Sequence, residues 1–561
     1  MKSALLEQPR RKKVSIIRVF YIAAPLLLIG IACGRLFPTY VTFTGTLDET
    51  LHIAAGLQWL DRGVYTYNRD QPPLARIAVA IGPYLAGVTS QVPRNERVYP
   101  VDFLFLGAGY FRNLTLARIG NLPFLVLMSV VVYLWALRWF NRSAALWALL
   151  LFTCLPPILG HAGLATLDVA CAATVAAALY QLLRWLEEPR PAQAATFGLA
   201  LGLAFLSKFS SLGFLPVCFA LAIAYLLVAK RDVLFGSGMV TTRIKQLGIT
   251  AAVAFIVVWA GYRFSLKAIS PTNGQHPTID GRIANPSLRR AAYTLLEMPV
   301  PLLVEMKNGL DALAEQNGSG RPSYLFGEYR TTGWWYFFPV VIAVKTPLAF
   351  LILTIVGAVL ILRRPRDIPW QQYLTVIFPI AILLMCMASG INLGVRHILS
   401  VYPMFGVLAG FGMARLTGNL QRRVFVAAGS LLVAWAVADS IATHPDYLAY
   451  FNQIASRHPE AILAESDLDW GQDLHRLIAR LQDLGVKEVA IQYFGTFPLE
   501  RANLPPHREV PTDTPVSGYV AISAHYLVLM NARDGSFGWL KKFEPQEKIG
   551  RSIYLFNVQP K

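Results

Sequence analysis

Two adjacent carboxylates, Asp48 and Glu49, follow the first strongly apolar segment of the chain. Charged groups close to a bilayer are energetically costly and usually serve a function. Five further ionisable residues stand at the ends of other apolar segments, and the topology derived below puts them on the same side of the membrane: Arg118, Asp168, Lys208, Arg396 and His397. A single Arg or Lys in such a place is equally well explained by a long side chain that reaches the interface. Seven groups on one face favour a functional site.

The chemistry that suits this set is transfer to a hydroxyl from an anionic donor carried by a lipid. A carboxylate at the membrane surface can act as general base on an alcohol. Cations beside it can hold a phosphate and stabilise it as it leaves. A phosphate leaving group needs no general acid, so one base with several cations suffices, whereas glycoside hydrolysis usually requires two opposed carboxyl groups. A single displacement of this kind inverts the anomeric centre.

The composition indicates a polytopic membrane protein. Apolar residues make up 55% of the 561 residues, and the mean hydropathy is +0.45, which is rare among soluble proteins. The net charge of +18 fits basic cytoplasmic loops that face anionic lipid better than it fits nucleic-acid binding. The five cysteines lie in or beside apolar segments without the spacing of metal ligands, so we expect them to pack in the core.

A bilayer core asks for about 20 apolar residues per helix. By that criterion the sequence predicts about eleven transmembrane helices, some of them short and bounded by Pro or Gly, near residues 16–36, 119–137, 144–159, 164–186, 194–206, 212–229, 247–264, 336–362, 371–387, 398–416 and 424–441. The segment 77–88 is too short to span, so we expect an interfacial or re-entrant helix there.

The distribution of basic residues sets the expected orientation. With the N-terminus inside, every short joint on the cytoplasmic side carries Arg or Lys, as the positive-inside rule demands. A spanning segment at 77–88 would reverse this pattern downstream. We therefore expect the N-terminus inside and the C-terminus outside, with loops 38–118 and 265–335 and the tail from residue 443 all on the outer face.

The sequence predicts two domains. Residues 1–442 form the all-α membrane core, and residues 443–561 form a small soluble α/β domain outside the membrane. In that tail, leucine and isoleucine recur at helical spacing from residue 474 to 481, Gly485 can end the helix, and residues 486–493 and 519–529 are predicted strands.

Three aspartates in the tail surround a tryptophan, in the run D-L-D-W-G-Q-D that contains Asp467, Asp469, Trp470 and Asp473. The carboxylates could bind a cation or a sugar, and the indole ring could stack on a sugar. Capping of the following helix and packing against it explain the same residues. The sequence leaves these alternatives open.

Nine motifs run through most of the chain in order: L-D-E-T-L-H at 47–52, Q-P-P-L-A-R at 71–76, L-A-R at 116–118, A-T-L-D-V-A at 165–170, L-S-K-F-S at 206–210, G-E-Y-R-T-T-G-W-W-Y-F-F-P at 327–339, G-V-R-H-I-L at 394–399, H-P-D-Y-L-A-Y-F-N at 444–452 and D-L-D-W-G-Q-D-L at 467–474. In these motifs the chain resembles membrane glycosyltransferases of the GT-C fold, in the branch of protein O-mannosyltransferases and lipid A aminoarabinose transferases.

The resemblance implies roles for three carboxylates. The family places its catalytic carboxylate in the first outer loop, which corresponds to Asp48, so Asp48 would be the base that takes the acceptor proton. Glu49 would orient that base or shape the acceptor site. Asp168 matches a second family carboxylate and would belong to a polar network.

The resemblance also implies which basic groups hold the donor phosphate. Arg118 matches the family's phosphate-binding arginine after the first outer loop, and Arg76 follows P-P-L where relatives carry a basic residue. Lys208, Arg396 and His397 are further phosphate candidates. The implied partners are a polyprenyl-phosphate-linked sugar as donor, membrane lipid, and a protein, lipid or glycan as acceptor. No cofactor is firmly implied, although Asp48, Glu49 and Asp168 offer oxygen ligands for a divalent metal.

Two features depart from the eukaryotic family pattern. The outer loop 265–335 is too short for a β-trefoil insert, and the soluble tail is unlike the core family. Both features favour a bacterial inner-membrane enzyme with its active site facing the periplasm.

Two other classes of function are compatible with parts of the sequence. A transporter or flippase of lipid-linked sugars would also be polytopic, but transporters tend to show paired repeats and charges at the membrane midplane. Here the charges lie at one face and no repeat is visible. A non-catalytic membrane scaffold whose tail binds a partner is the third alternative, and its outer carboxylates would be dispensable.

Overall fold

The computed structural model describes residues 16–64, 70–90, 99–107, 109–236, 239–268, 277–301, 303–363, 368–418, 421 and 423–559. These residues are mostly helical, and a five-stranded sheet lies near the C-terminus. The predicted class, a helical membrane protein with a small C-terminal α/β domain, is confirmed.

The helices of the first half lie at α1 Ile16–Gly34, α2 Phe37–Thr42, α3 Leu47–Arg62, α4 Pro73–Leu85, α5 Tyr110–Ile119, α6 Leu122–Trp139, α7 Arg142–Thr153, α8 Pro156–Ala162, α9 Asp168–Glu187, α10 Pro191–Ser207, α11 Ser211–Ala229, α12 Arg231–Phe235 and α13 Met239–Gly261. Those of the second half lie at α14 Pro277–Arg282, α15 Pro286–Glu297, α16 Leu303–Ser319, α17 Phe337–Lys345, α18 Leu348–Leu362, α19 Trp370–Met387, α20 Tyr402–Thr417, α21 Arg423–Ala442, α22 Leu474–Asp483 and α23 Asn531–Asp534.

Among the described residues, eight helical segments are long and apolar enough to cross a membrane, or up to ten if each of two bent pairs is one span. The protein is therefore an integral membrane protein. Every predicted span falls on a helix, but the predicted number, about eleven, is higher than the structural count. Three predicted spans account for the difference. Helix α10 has only 17 residues, and the helix pairs α7–α8 and α17–α18 are bent by 60° and 115°.

Short strands occur in two places. The loop between α13 and α17 contains an antiparallel pair, β1 Leu266–Ala268 with β2 Pro299–Pro301, and a hairpin, β3 Ser323–Leu325 with β4 Glu328–Arg330. The tail contains β5 Val489–Gln492, β6 His507–Glu509, β7 Gly518–Ser523, β8 Glu547–Ile549 and β9 Ile553–Val558. Their order is β6-β5-β7-β9-β8, with β5 parallel to β6 and β7, and β9 antiparallel to β7 and β8.

The tail agrees with the sequence in its helix and differs in one strand. Helix α22 buries Leu474, Leu477 and Leu481 against the sheet, and Gly485 follows it with a φ of +62°, the left-handed conformation that glycine adopts without strain. The strand predicted at 519–529 is wrong in its second half. It ends at Ser523, and a helical turn occupies His525–Met530.

Helices α3 and α4 pack in close contact, which fixes the helix that carries Asp48. Gly56 permits this approach, since a Cβ atom there would lie 2.2 Å from the carbonyl oxygen of Arg76. Helix α4 overlaps the predicted short segment 77–88 up to Leu85 and has only 13 residues.

The tail touches the loop between α1 and α6 directly. The backbone N–H of Thr44 donates to the carbonyl of Gln472 at 3.0 Å, and that of Leu47 donates to the carbonyl of Trp470 at 3.2 Å. A chain segment cannot make these bonds from the opposite side of a bilayer, so the tail and the first loop lie on one side of the membrane.

This contact predicts the outcome of a labelling experiment. Single cysteines introduced at Leu106 in the first loop and at Glu500 in the tail should react with a membrane-impermeant maleimide from the same side of sealed vesicles. The unsubstituted protein is the control for its own five cysteines. Labelling of the two positions from opposite sides would contradict the packing of the tail on the loop.

Candidate active site

The acidic pair lies in the first turn of α3. The helix begins after Thr46, whose backbone N–H donates to Oε2 of Glu49 at 2.8 Å, an arrangement typical of a helix start that stabilises carboxylates in the first turn. Adjacent residues on a helix point about 100° apart. Asp48 and Glu49 therefore face different surroundings, although they are neighbours in the sequence.

Glu49 is fully buried and paired with Arg118. The guanidinium donates from Nε to Oε1 at 2.8 Å and from Nη2 to Oε2 at 2.9 Å. Its remaining N–H groups donate to the carbonyl oxygens of Tyr40, Phe43 and Thr44 at 2.9–3.2 Å. Burial would raise the pKa of Glu49, but the charge and hydrogen bonds of Arg118 outweigh it and hold the pKa below its ordinary value.

The pair lies away from the cavity described below. All five N–H groups of Arg118 have partners, and neither Arg118 nor Glu49 lines that cavity. The pair ties the start of α3 to residues 40–44 and, through Oε1 of Glu49 and the backbone N–H of Ala165, to the loop before α9 at 2.7 Å. The predicted phosphate-binding role of Arg118 and the predicted role of Glu49 in orienting the base or shaping the acceptor site stay predictions.

Asp48 faces the other way and forms an ion pair with Arg396. Nη1 of Arg396 donates to Oδ2 of Asp48. Burial would raise the pKa of Asp48, but the positive charge of Arg396, the neighbouring His52 and the hydrogen bond lower it below its ordinary value. Asp48 is therefore ionised at neutral pH. Its side chain remains 30% exposed.

A second ion pair joins the ends of α9 and α10. Nζ of Lys208, just after α10, lies 2.6 Å from Oδ1 of Asp168, the first residue of α9. His397 lies near this pair on the short 3-10 helix Val395–Val401, and its buried Nε2 has no hydrogen-bond partner among the described residues. A buried imidazole nitrogen without a partner is available for a ligand.

One cavity of about 530 Å³ brings these groups together. Its polar wall contains the predicted residues Asp48, Asp168, Lys208, Arg396 and His397. Its apolar wall contains Leu212, Phe214, Leu310, Phe338 and Met385. A pocket lined by both convergent charges and hydrocarbon matches an amphiphilic ligand.

Arg76 does not line this cavity. Its guanidinium is fully buried and donates to Oδ1 of Asp70 at 3.2 Å and to the carbonyl oxygen of Gln71 at 3.0 Å. Asp70 and Gln71 themselves line the cavity. The prediction that Arg76 binds phosphate stays a prediction, and its guanidinium contacts two residues that line the cavity.

The comparisons with known proteins bear on this geometry. The model of the dolichyl-phosphate-mannose-protein mannosyltransferase family matches residues 111–262, about a quarter of the chain. No curated protein matches the sequence significantly. The chain is similar to the protein O-mannosyltransferases. The predicted resemblance is thereby confirmed over a segment that includes Asp168 and Lys208.

Similar solved structures are membrane glycosyltransferases. ArnT from Cupriavidus metallidurans, bound to undecaprenyl phosphate, is 16% identical with a TM-score of 0.47, and the match covers 96% of this chain and 99% of ArnT. The oligosaccharyltransferase AglB from Archaeoglobus fulgidus, in complex with an inhibitory peptide and a dolichol-phosphate, is 12% identical with a TM-score of 0.49 over 96% of this chain and 74% of AglB. The S. cerevisiae Pmt1–Pmt2 complex, bound to the sugar donor, is 16% identical with a TM-score of 0.32 over 44% and 33%.

Within this mannosyltransferase-like chain, several cavity residues escaped the sequence analysis. They are His52, Asp70, Gln71 and Arg321. His52 could have been found, because it stands four residues after Asp48 and therefore on the same face of α3. Burial and the nearby charge of Arg76 lower the pKa of His52 to about 4, so this imidazole is neutral at pH 7.

No group of three or more His, Cys, Asp or Glu residues in the described parts of the chain could hold a metal ion. The three carboxylates that offered oxygen ligands point to separate cations: Asp48 to Arg396, Glu49 to Arg118 and Asp168 to Lys208. The arrangement fits a site whose positive charge comes from side chains.

Because Asp48 and Glu49 face different surroundings, we expect substitutions at these two neighbouring positions to change the stability of the protein by different amounts. Glu49→Gln should lower the free energy of unfolding by about 3–5 kcal/mol, because it leaves the buried guanidinium of Arg118 without a counter-charge. Asp48→Asn should lower the free energy of unfolding by less, since Asp48 is 30% exposed and Arg396 keeps Asp168 as a second nearby carboxylate. Thermal unfolding of the purified variants in detergent measures both. Equal stability of the Glu49→Gln protein and the wild type would contradict the structural role of Glu49.

Proposed function

We propose that the protein is an inverting glycosyltransferase that moves a sugar from a polyprenyl-phosphate donor to an acceptor hydroxyl on the outer face of the membrane. The observation that carries the proposal is the cavity that Asp48 and its partner Arg396 line together with Lys208, Asp168, His397 and a set of apolar side chains. The family match supports it independently, because the matched family is named for a dolichyl-phosphate-mannose donor.

The charges of the cavity suit the leaving group. Arg396 and Lys208 are held by carboxylates on rigid helix ends, so they stay in place before a substrate enters. Preorganised cations stabilise negative charge where it develops in a transition state. In the proposed reaction the bond between the anomeric carbon and the phosphate oxygen breaks, and the electron pair goes to the phosphate beside Arg396, Lys208 and His397.

Asp48 is the proposed general base. It is ionised, it borders the cavity and it is partly exposed, whereas Glu49 has no access to the cavity. The carboxylate would take the proton of the acceptor hydroxyl as the oxygen attacks the anomeric carbon. Attack from the face opposite the leaving phosphate inverts the configuration at that carbon.

The apolar wall suits the lipid part of the donor. Leu212 and Phe214 begin α11, and Met385 ends α19, so these side chains lie where two membrane helices meet the charged groups. A polyprenyl chain along this wall would place its phosphate at the charged end. The rest of the polyprenyl chain would lie in the hydrocarbon core of the surrounding bilayer.

The proposed orientation follows the basic cytoplasmic joints of the sequence. It puts the N-terminus inside the cell and the cavity, the first loop and the domain at residues 443–561 outside. In a bacterium, that side is the periplasmic face of the inner membrane. The acceptor is a protein, lipid or glycan hydroxyl, and the sugar is a hexose or a related pyranose.

The proposal predicts that Asp48→Asn abolishes transfer, with a loss of at least about 100-fold, the lower range for a general base. A strain that lacks the gene is complemented with wild type or variant, and its glycans and glycolipids are compared by mass spectrometry. The matched control is Asp102→Asn, a carboxylate in the same loop with 25% of its side chain exposed and with Arg501 as its partner.

The control should restore the wild-type products, and Asp48→Asn should not, at equal amounts of folded protein. Products at wild-type level from the Asp48→Asn strain would remove Asp48 from the role of base. A product profile that is unchanged when the gene is deleted would argue against a glycosyltransferase.

A further inference from the structure

The aspartate-rich run of the tail forms a turn that packs against Arg396, one of the residues that line the cavity. We call residues 467–472 the tail turn. Trp470 is 2% exposed, and its ring lies under the guanidinium of Arg396, with 4.4 Å from Cζ to the ring centroid. A cation held over an indole face is attracted to it, most strongly where water is excluded. Arg396 therefore contacts the ring of Trp470 as well as the carboxylate of Asp48.

The backbone of the same turn holds the other member of the ion pair. The carbonyl of Trp470 accepts the N–H of Leu47, the residue before Asp48, at 3.2 Å. The carbonyl of Gln472 accepts the N–H of Thr44 at 3.0 Å. Trp470 therefore contacts both sides of the ion pair: its ring contacts Arg396, and its backbone carbonyl accepts a hydrogen bond from the start of α3.

The tail domain anchors this turn at the carboxyl ends of two parallel strands. Oδ2 of Asp469 accepts the N–H of His525, just after β7, at 3.0 Å. The hydroxyl of Tyr493, just after β5, donates to the carbonyl of Gly471 at 2.6 Å. Open α/β sheets usually bind ligands at this edge, and here the tail turn fills it.

A further anchor comes from the membrane core. Nζ of Lys345, at the bend between α17 and α18, donates to the carbonyl of Asp467 at 2.5 Å. Oδ1 of Asp467 accepts the N–H of Val395, next to Arg396, at 3.0 Å. The turn is therefore fastened both to the sheet and to the segment that carries Arg396.

We propose that Trp470 is a positioning residue that fixes Arg396 against Asp48, and that the tail domain thereby completes the active site. The inference rests on the proposed function for its catalytic meaning. It replaces the earlier alternative in which Trp470 stacks on a sugar, because one face of the ring is covered by Arg396, an edge meets His161 with centroids 6.3 Å apart, and 2% exposure leaves no open face.

The proposal makes the charge state of Asp48 depend on Trp470. The ionisable groups that act on Asp48 are Arg396, His52, Asp168 and Glu465. Arg396 lowers the pKa of Asp48, and burial raises it. Loosening of Arg396 should therefore move the acid limb of the rate profile to higher pH.

The test compares two substitutions of Trp470 in the full-length protein. Trp470→Leu removes the aromatic face, and Trp470→Phe keeps one. Transfer is measured from mannosyl polyprenyl phosphate, radiolabelled in the sugar, to a cell-envelope fraction, as a function of pH. We expect kcat to fall about 100-fold in Trp470→Leu, the size of effect that a misplacement of about 1 Å produces, with an acid limb at higher pH. Trp470→Phe should recover most of the rate and the wild-type limb.

Trp539→Leu is the matched control. Trp539 is a buried tryptophan of the same domain whose Nε1 donates to the carbonyl of Pro511 at 3.1 Å, away from Arg396. It should lower the melting temperature and leave the pH profile unchanged. An equal shift of the profile in Trp539→Leu, or an unchanged profile with wild-type kcat in Trp470→Leu, would overturn the proposal.

A second measurement does not depend on activity. Melting temperatures are determined for Trp470→Leu, Arg396→Gln and the double variant. Each single substitution already removes the contact between Trp470 and Arg396. The proposal therefore predicts that the melting temperature of the double variant falls by less than the sum of the two single decreases. Additive shifts would overturn the contact between Trp470 and Arg396. The two proposals can fail separately. If the cycle shows coupling but the wild type transfers no sugar from several polyprenyl-phosphate donors, the contact between Trp470 and Arg396 is supported and the proposed function is not.

Discussion

The buried ion pair between Glu49 and Arg118 is the contact on which the site depends. It is bidentate, it excludes water, and the guanidinium also ties down three carbonyl groups of residues 40–44. A buried pair contributes little net stability relative to a hydrophobic pair, but removal of one partner is expensive. Its main effect here is geometric. It fixes the first turn of α3, and hence the direction in which Asp48 points.

The neighbouring carboxylates of this turn thus serve different ends. Glu49 points into the protein interior and pairs with Arg118, whereas Asp48 points into the cavity. The same division applies to the cations: Arg118 and Arg76 support the first loop, and Arg396 and Lys208 border the cavity. Ionisable groups near a bilayer need partners, and pairing within the cavity keeps the charges in position before a substrate arrives.

Local properties of the sequence were sufficient to place the helices. Apolar length predicted each candidate membrane span among the described residues, and the resemblance in the first loop pointed to Asp48, which borders the cavity. The helix count was too high because hydropathy does not show bends such as the 115° angle between α17 and α18. The role of Arg118 could not be read from its motif, since its partners lie 69 to 78 residues away. The pairing of Asp48 with Arg396 crosses 348 residues, and the contact with Trp470 joins the membrane core to the tail. Such contacts follow from tertiary packing, which no local pattern encodes.

The central claim is that the cations of the cavity bind the phosphate of a polyprenyl lipid. Its most direct test is the affinity of the purified protein for undecaprenyl phosphate, measured by native mass spectrometry in detergent. Arg396→Gln and Lys208→Gln should each weaken binding by about 10-fold or more, since a charge-assisted hydrogen bond contributes about 1.5–3 kcal/mol. Arg330→Gln, which alters an arginine paired with Glu328 in the outer loop, should bind as the wild type does. Unchanged affinity in both cavity variants would contradict the account.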